Sequence, residues 1–258
     1  MTGQTHETLV SAQFGPRASS YVTSPVHAQG ADLDRLALLA KTKAKEGEGF
    51  GRVLDLGCGG GHASFTLAPY VKEVVAYDLS AEMLAAVSEE ARKRGVHAIV
   101  TRQGKVEELP FQDGEFDLVV SRNSAHHWHD FGAALREARR VLKHDGGAVF
   151  MDAVSPGPAL FDTYLQTVEM LRDPSHVRDY SIAEWCQALS EAGFQPGTVV
   201  AGRVRLDFAA WIERMATPQA LATAIRDLQR RMPEEIRAHF EIAPDGSFTL
   251  DTMYWATG

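Results

Sequence analysis

Short aliphatic runs alternate with segments whose apolar side chains return every third or fourth position. Val53-Leu54-Asp55-Leu56, Val74–Tyr77, His97–Thr101, Phe116–Ser121 and Gly147–Asp152 read as strands. The Phe116 run is dense enough in Val and Leu to predict burial on both faces. Between the strands, Ala63–Tyr70, Ala81–Arg94 behind a Ser80 cap, and Phe131–Leu142 carry helical spacing. An earlier helix starts at an Asp32 cap, places Leu33, Leu36, Ala37 and Ala40 on one face, and closes in the polar Lys41–Gly49 stretch. Strands separated by helices must pair in parallel through right-handed crossovers, so the pattern predicts a doubly wound α/β sheet.

Beyond Asp152 the rhythm changes. Pro156 and Pro158 introduce a helix over Ala159–Leu171, and a polar loop from Arg172 to Arg178 leads to a helix over Ile182–Ala192. Gly193-Phe194 opens a strand to about Val204. A helical stretch from about Phe208 to Phe240 is broken at Pro218 and Pro233, and Phe248–Trp255 is a closing strand. The first 30 residues show no clear periodicity.

With 26 basic and 34 acidic residues among 258, the formal charge is −8, which argues against a duplex-binding protein. Cys58 and Cys186 cannot build a disulfide framework or a four-cysteine zinc site. The polar start holds no secretory apolar region, and no run approaches the roughly 20 apolar residues of a membrane span. The expectation is a cytoplasmic protein with a small-molecule partner, no nucleic acid and no membrane span; a homodimer stays open.

The most informative segment is Asp55-Leu56-Gly57-Cys58-Gly59-Gly60-Gly61-His62. A strand running through glycines into a helix lets a ligand approach bare backbone at the helix N-terminus. The third fingerprint glycine falls at Gly61, one residue early for a dinucleotide site. Asp55 would repel a pyrophosphate and can pair with an ammonium group, which favours a cationic amino-acid ligand over NAD or FAD. Asp78, about 20 positions on, suits ribose hydroxyls; a helix cap shared with Ser80 is the other reading.

Val53–Gly61, Tyr77-Asp78-Leu79-Ser80 and Phe116-Asp117-Leu118-Val119 resemble the motifs of class I S-adenosylmethionine-dependent methyltransferases, and nearest the UbiE-related YafE/YcgJ-like group. The likeness includes Phe14–Gly30, Ser124–His129 and Leu171–Arg178. It implies a doubly wound Rossmann-like methyltransferase sheet of seven strands, the last antiparallel, with an N-terminal flap and a helical C-terminal insertion. Residues 1–48 would form the flap and first helix, and 49–153 the S-adenosylmethionine-binding core. Residues 154–258 would complete the sheet and carry a helical lid at about 207–240.

By the resemblance, Asp55, Gly57 and Gly59 lie against the methionine part of the cofactor, Asp78 holds the ribose, and Leu79 and Met83 flank the adenine. Gly104–Phe111 matches the adenine-edge loop, except that Lys105 stands where the family has an aspartate. Adenine recognition there would be weaker or differently built, with the Val106 N–H still able to meet a ring nitrogen; Lys105 is otherwise a surface lysine. Ser121 and Arg122 fall where the family contacts the methionine moiety. Tyr21 and His27 sit in a flap segment that could close over the cofactor, or serve as packing and surface residues.

Methyl transfer needs a base only where the nucleophile must shed a proton. His126, His127 and His129 follow the fourth strand, near the carboxyl ends where such sheets bind ligands. His126 or His127 is a base or an acceptor-positioning group; the other reading is one backbone-bonded and one surface histidine. No metal is expected, because the spacing fits no ligand motif. Trp128, His176 and Arg178 are candidate substrate contacts, with Arg178 suited to an anionic group; a core anchor and an internal salt-bridge loop are the plain alternatives. Methyl transfer to an oxygen, nitrogen or carbon is the leading function. A non-methylating use of the same cofactor, or a cofactor sensor, would also fit the fold.

Overall fold

Five strands run parallel because a helix returns the chain between most of them. In the computed structural model, which describes residues 5–22 and 29–257, they are β1 (Arg52–Leu56), β2 (Glu73–Asp78), β3 (Ile99–Gln103), β4 (Phe116–Arg122) and β5 (Leu142–Val154). Two further strands, β6 (Thr198–Leu206) and β7 (Phe248–Thr257), complete one sheet in the order β3-β2-β1-β4-β5-β7-β6. The last strand, β7, is antiparallel to both of its neighbours. The resulting seven-stranded Rossmann-like sheet matches the expected architecture.

Side chains of opposite parity bury opposite faces. Leu54, Leu56, Val75, Tyr77, Val119 and Phe150 pack under α6 (Phe131–Val141) and α8 (Ile182–Glu191). Val53, Val74, Leu118, Val120 and Val149 pack under α3 (Ala31–Lys45) and α4 (His62–Leu67). With both faces covered, central strands read as unbroken apolar runs, and each large side chain so buried contributes about 1.5–3 kcal/mol. Local chemistry agrees with this packing. The Ser80 hydroxyl caps α5 (Ala81–Arg94) by accepting from the Met83 N–H at 3.2 Å, and Asp130 caps α6 through the Ala133 N–H at 2.8 Å.

A separate apolar cluster joins α7 (Ala159–Arg172) to α9 (Phe208–Met215), α10 (Gln219–Arg231) and α11 (Glu234–His239). Trp211, Ile225, Ile236 and Phe240 fill it against Phe248 and Leu250 of β7. The expected breaks at Pro218 and Pro233 are the starts of α10 and α11.

Three elements differ from expectation. Residues 6–22 form α1 (His6–Phe14), a short 3-10 turn and α2 (Ala18–Val22), although their periodicity is weak. β5 begins at Leu142, where a register irregularity lets Leu142 pair with Phe116 ahead of the Leu118–Gly147 pairing. Gly193 opens no strand; at φ 90° it ends the α8 segment, and β6 starts at Thr198. Among the described residues, no helix is long and apolar enough to cross a membrane.

Candidate active site

The carboxyl ends of β1, β2, β4 and β5 open into one cavity of about 500 Å³. Two lobes can be told apart by their chemistry. The glycine loop, Asp78, Leu79, Met83, Lys105 and Val106 line the first, and His126, His127, Trp128, Asp152, Glu169, Arg172, Asp173, Asp179 and Trp211 line the second.

Gly57 adopts φ 64°, and a Cβ there would collide with the Ser124 hydroxyl. That hydroxyl accepts from the Trp128 indole N–H at 3.0 Å, so loop, turn and indole interlock. Gly59 adopts φ 49°, and among the described residues, its chain neighbours aside, no heavy atom lies within 4 Å of where its Cβ would stand, which leaves open space over the loop. Asp78 braces this loop: one carboxylate oxygen accepts from the Gly59 N–H at 2.8 Å and the other from the Ser80 N–H at 2.9 Å. Burial raises its carboxyl above the ordinary range, against the pull of those N–H donors. Asp78 therefore borders the cavity and braces the turn into α5 at once, while Ser80 itself caps the helix.

Asp55 is 1% exposed, and one oxygen accepts from both the Ser64 N–H at 3.0 Å and the Ser64 hydroxyl at 2.6 Å at the start of α4. Burial nevertheless pushes its carboxyl up to about 6. Arg122 lines the cavity and pairs with Asp32.

Asp152, at the carboxyl end of β5, organises the second lobe. Its carboxylate accepts from the Ala125 and Ala153 N–H groups, each at 2.9 Å, and stands 2.6 Å from His126 Nδ1. Burial is the largest single influence on His126 and would depress it, but the charge and hydrogen bond of Asp152, with the charges of Asp179 and Glu169, together outweigh it and raise the imidazole to about 9. Its neighbour behaves oppositely: burial, then the charge on His126, holds His127 well below the ordinary histidine range. His127 Nδ1 lies 3.1 Å from the Ser175 carbonyl, and the Phe14 ring stands edge-on to it with centroids 5.0 Å apart. Asp179, 2% exposed, has a buried oxygen with no hydrogen-bond partner. His126, Asp152 and Asp179 each offer an atom within 4.8 Å of the others. The Asp152 oxygens already serve two N–H groups and the imidazole.

Tyr21, Asp55, Gly57, Gly59, Asp78, Leu79, Met83, Lys105, Val106, Arg122, His126, His127 and Trp128 all line the cavity. Tyr21 points its hydroxyl at the Met215 sulfur, 3.2 Å away. Half-exposed Lys105 pairs with Glu7 of α1 at the rim. His27 lies outside the described residues.

Three of the expected contact residues do not line this cavity. Ser121 is buried and donates to the Leu56 carbonyl at 2.9 Å, inside the sheet rather than at the cavity. His176 sits behind the wall, with Nε2 2.8 Å from the Gln166 amide oxygen. Arg178 faces away, bridging Asp162 of α7 at 3.1 Å and Glu184 of α8 at 3.0 Å. Arg178→Ala is accordingly expected to cost about 1 kcal/mol of stability, measured by denaturant unfolding, with cofactor affinity unchanged by calorimetry. A loss of affinity would return Arg178 to the site.

Sequence reasoning missed Asp152, Glu169, Asp179 and Trp211 as cavity residues. Position could have marked Asp152, since it ends a parallel strand at the ligand-binding edge. The others carry no such signal.

A family profile described as a methyltransferase domain matches residues 54–150. YafE of Escherichia coli is 48% identical over 193 residues, covering 75% of this chain and 93% of YafE. YcgJ of Bacillus subtilis, named as a methyltransferase, is 35% identical over 205 residues, covering 80% of this chain and 79% of YcgJ. The crystal structure of YcgJ superposes with a TM-score of 0.80 over 87% of this chain and 96% of that one, at 31% identity. BH2331 of Bacillus halodurans gives 0.82 over 88% and 98%, also at 31% identity.

Proposed function

The chain belongs to the class I S-adenosylmethionine-dependent methyltransferases, and on that footing we propose that it methylates an oxygen, nitrogen or carbon of a small molecule seated in the lobe of His126, His127 and Trp211. The observation that carries the cofactor assignment is the open cradle over Gly59, braced by Asp78 and walled by Met83 and Val106. Asp78 would take the ribose hydroxyls, which its remaining lone pairs can accept. Leu79, Met83 and Val106 would enclose the adenine. Asp55, Gly57 and Gly59 would face the amino-acid end, where the buried Asp55 charge meets an ammonium group. S-adenosylmethionine supplies, when bound, a methyl group made electrophilic by the sulfonium.

The rest falls to the chain's own residues. Trp128 and Trp211 exclude water from the lobe. The lobe orients the acceptor toward the methyl carbon, because an in-line displacement depends on placement more than on covalent help. A histidine of the His126–His127 pair receives the proton where the acceptor must lose one. The acidic balance and the free thiols Cys58 and Cys186 fit a cytoplasmic enzyme with a small acceptor rather than a nucleic acid.

Isothermal titration with S-adenosylhomocysteine tests the reading: saturable binding to the folded protein is expected. Absence of binding by that ligand and by S-adenosylmethionine would overturn it.

A further inference from the structure

Two adjacent histidines in one cavity wall have opposite surroundings. His126 Nδ1 meets the Asp152 carboxylate at 2.6 Å, the short contact of a charge-assisted bond. Asp152 is itself held in place by two backbone N–H donors. Around His126 stand further acids, Asp179 from the loop after α7 and Glu169 of α7. The His127 and His176 rings also stand beside it, with centroids 4.3 and 5.9 Å away, and Arg172 and Arg178 act in turn on His176.

His127 has no such clamp. The Ser175 carbonyl can only accept, so His127 Nδ1 carries the proton in that bond and its lone pair lies on Nε2. The nearest acid to Nε2 is Asp173, at 3.9 Å and beyond hydrogen-bond reach. The other oxygen of Asp173, Oδ1, accepts from the Ser175 N–H at 2.9 Å and its hydroxyl at 2.6 Å, which fixes the carboxylate with Oδ2 at that distance. The His126 and His127 ring centroids are 4.3 Å apart, close enough for a charge on one to oppose a second charge on the other.

We propose that the pair divides its work: His126, clamped by Asp152, is a positioning residue that stays cationic, and His127 is the catalytic residue that accepts the acceptor's proton through Nε2. This rests on the methyltransferase reading. In the step, the acceptor's lone pair bonds to the methyl carbon as the carbon–sulfur bond breaks, with that electron pair staying on sulfur. The acceptor's proton passes to His127 Nε2. The positive charge lost at sulfur reappears on His127, so the cavity's total charge does not change. The cationic His126 keeps His127 unprotonated before the reaction and favours return of the proton to solvent afterwards. Burial lowers both imidazoles, but the acids around His126 reverse the effect there while the charge on His126 adds to it at His127, in support of this division.

Long-range ¹H–¹⁵N spectra of the histidine side chains test it without any acceptor. They are recorded from about pH 2.5 to about pH 10 on wild type saturated with S-adenosylhomocysteine. At neutral pH His126 is expected as imidazolium and His127 as the neutral Nδ1–H tautomer. In His126→Gln the His127 midpoint rises by at least about one pH unit, a change that a merely packed His126 would not produce. Asp152→Asn lowers the His126 midpoint by a similar or larger step, while Asp152→Glu retains part of it. If His127 is the charged ring in wild type, or if its midpoint is unmoved in His126→Gln, the division of labour is wrong. Should a variant fail to fold, the wild-type charge states and tautomers still decide. S-adenosylhomocysteine binding with the wrong histidine states overturns this inference alone, whereas no binding overturns the methyltransferase reading and this inference with it.

Discussion

Asp78→Ala is expected to weaken S-adenosylhomocysteine binding by at least about 100-fold, or ~3 kcal/mol. Two losses add. The carboxylate accepts the Gly59 and Ser80 N–H groups, so its removal leaves both donors without their partner at the turn the ligand must meet. It also removes the acceptor for the ribose hydroxyls, a charge-assisted contact stronger than a neutral one. Asp78→Asn separates the two: its amide oxygen can keep one N–H, while its NH2 group faces the other donor, so an intermediate loss is expected. Calorimetric titration of both variants decides, with circular dichroism confirming that each is folded. An affinity for Asp78→Ala within about threefold of wild type would remove Asp78 from the cofactor site.

The sheet was legible wherever burial on two faces forces a continuous apolar run, as at Phe116–Val120, or where a cap marks a start, as Ser80 does for α5. The lobes of the cavity were legible unevenly. Asp55, Gly57, Gly59 and Asp78 lie in one strand–turn–helix unit and the following strand end, so their mutual positions follow from local geometry. Arg178 and His176 share a loop whose path depends on how α7 and α8 dock. The docking turns Arg178 onto Asp162 and Glu184, a partnership that no local spacing encodes. Ser121 stood one residue before the edge of the cavity, and the period of two in a strand decides which side it takes. α1 was hidden for a different reason. Its Phe14 and Val10 face the cavity rather than a core, so the helix lacks the apolar stripe that marks a core-packed one. The inner acids Glu169 and Asp179 lie in or beside a helix where acidic residues are ordinary, and only packing reveals them as buried.

Asp55→Asn is expected to stabilise the ligand-free protein at pH 7 while weakening its cofactor binding. Burial raises the Asp55 carboxyl from 3.8 to about 6 despite both Ser64 donors. A difference of about two pH units corresponds to ~3 kcal/mol, an upper bound for a buried group of this kind. The sign follows from the direction. The folded state binds this proton more tightly than the unfolded chain, so above pH 6 an ionised Asp55 opposes folding at full strength. As pH falls through about 6 the folded state takes up the proton, and below about 4 the penalty is gone. An asparagine oxygen can still accept from the Ser64 N–H and hydroxyl, so the substitution removes the charge and keeps the bracing. Denaturant unfolding should show a gain of about 2–3 kcal/mol at pH 7 that vanishes toward pH 4. The same gain at both pH values would mean that packing, not charge, is responsible. Calorimetry supplies the other half: if the buried charge tolerated by the ligand-free protein serves to meet the cofactor's ammonium, its loss should cost at least about tenfold in affinity. A variant both more stable and equally tight in binding would leave Asp55 without that role.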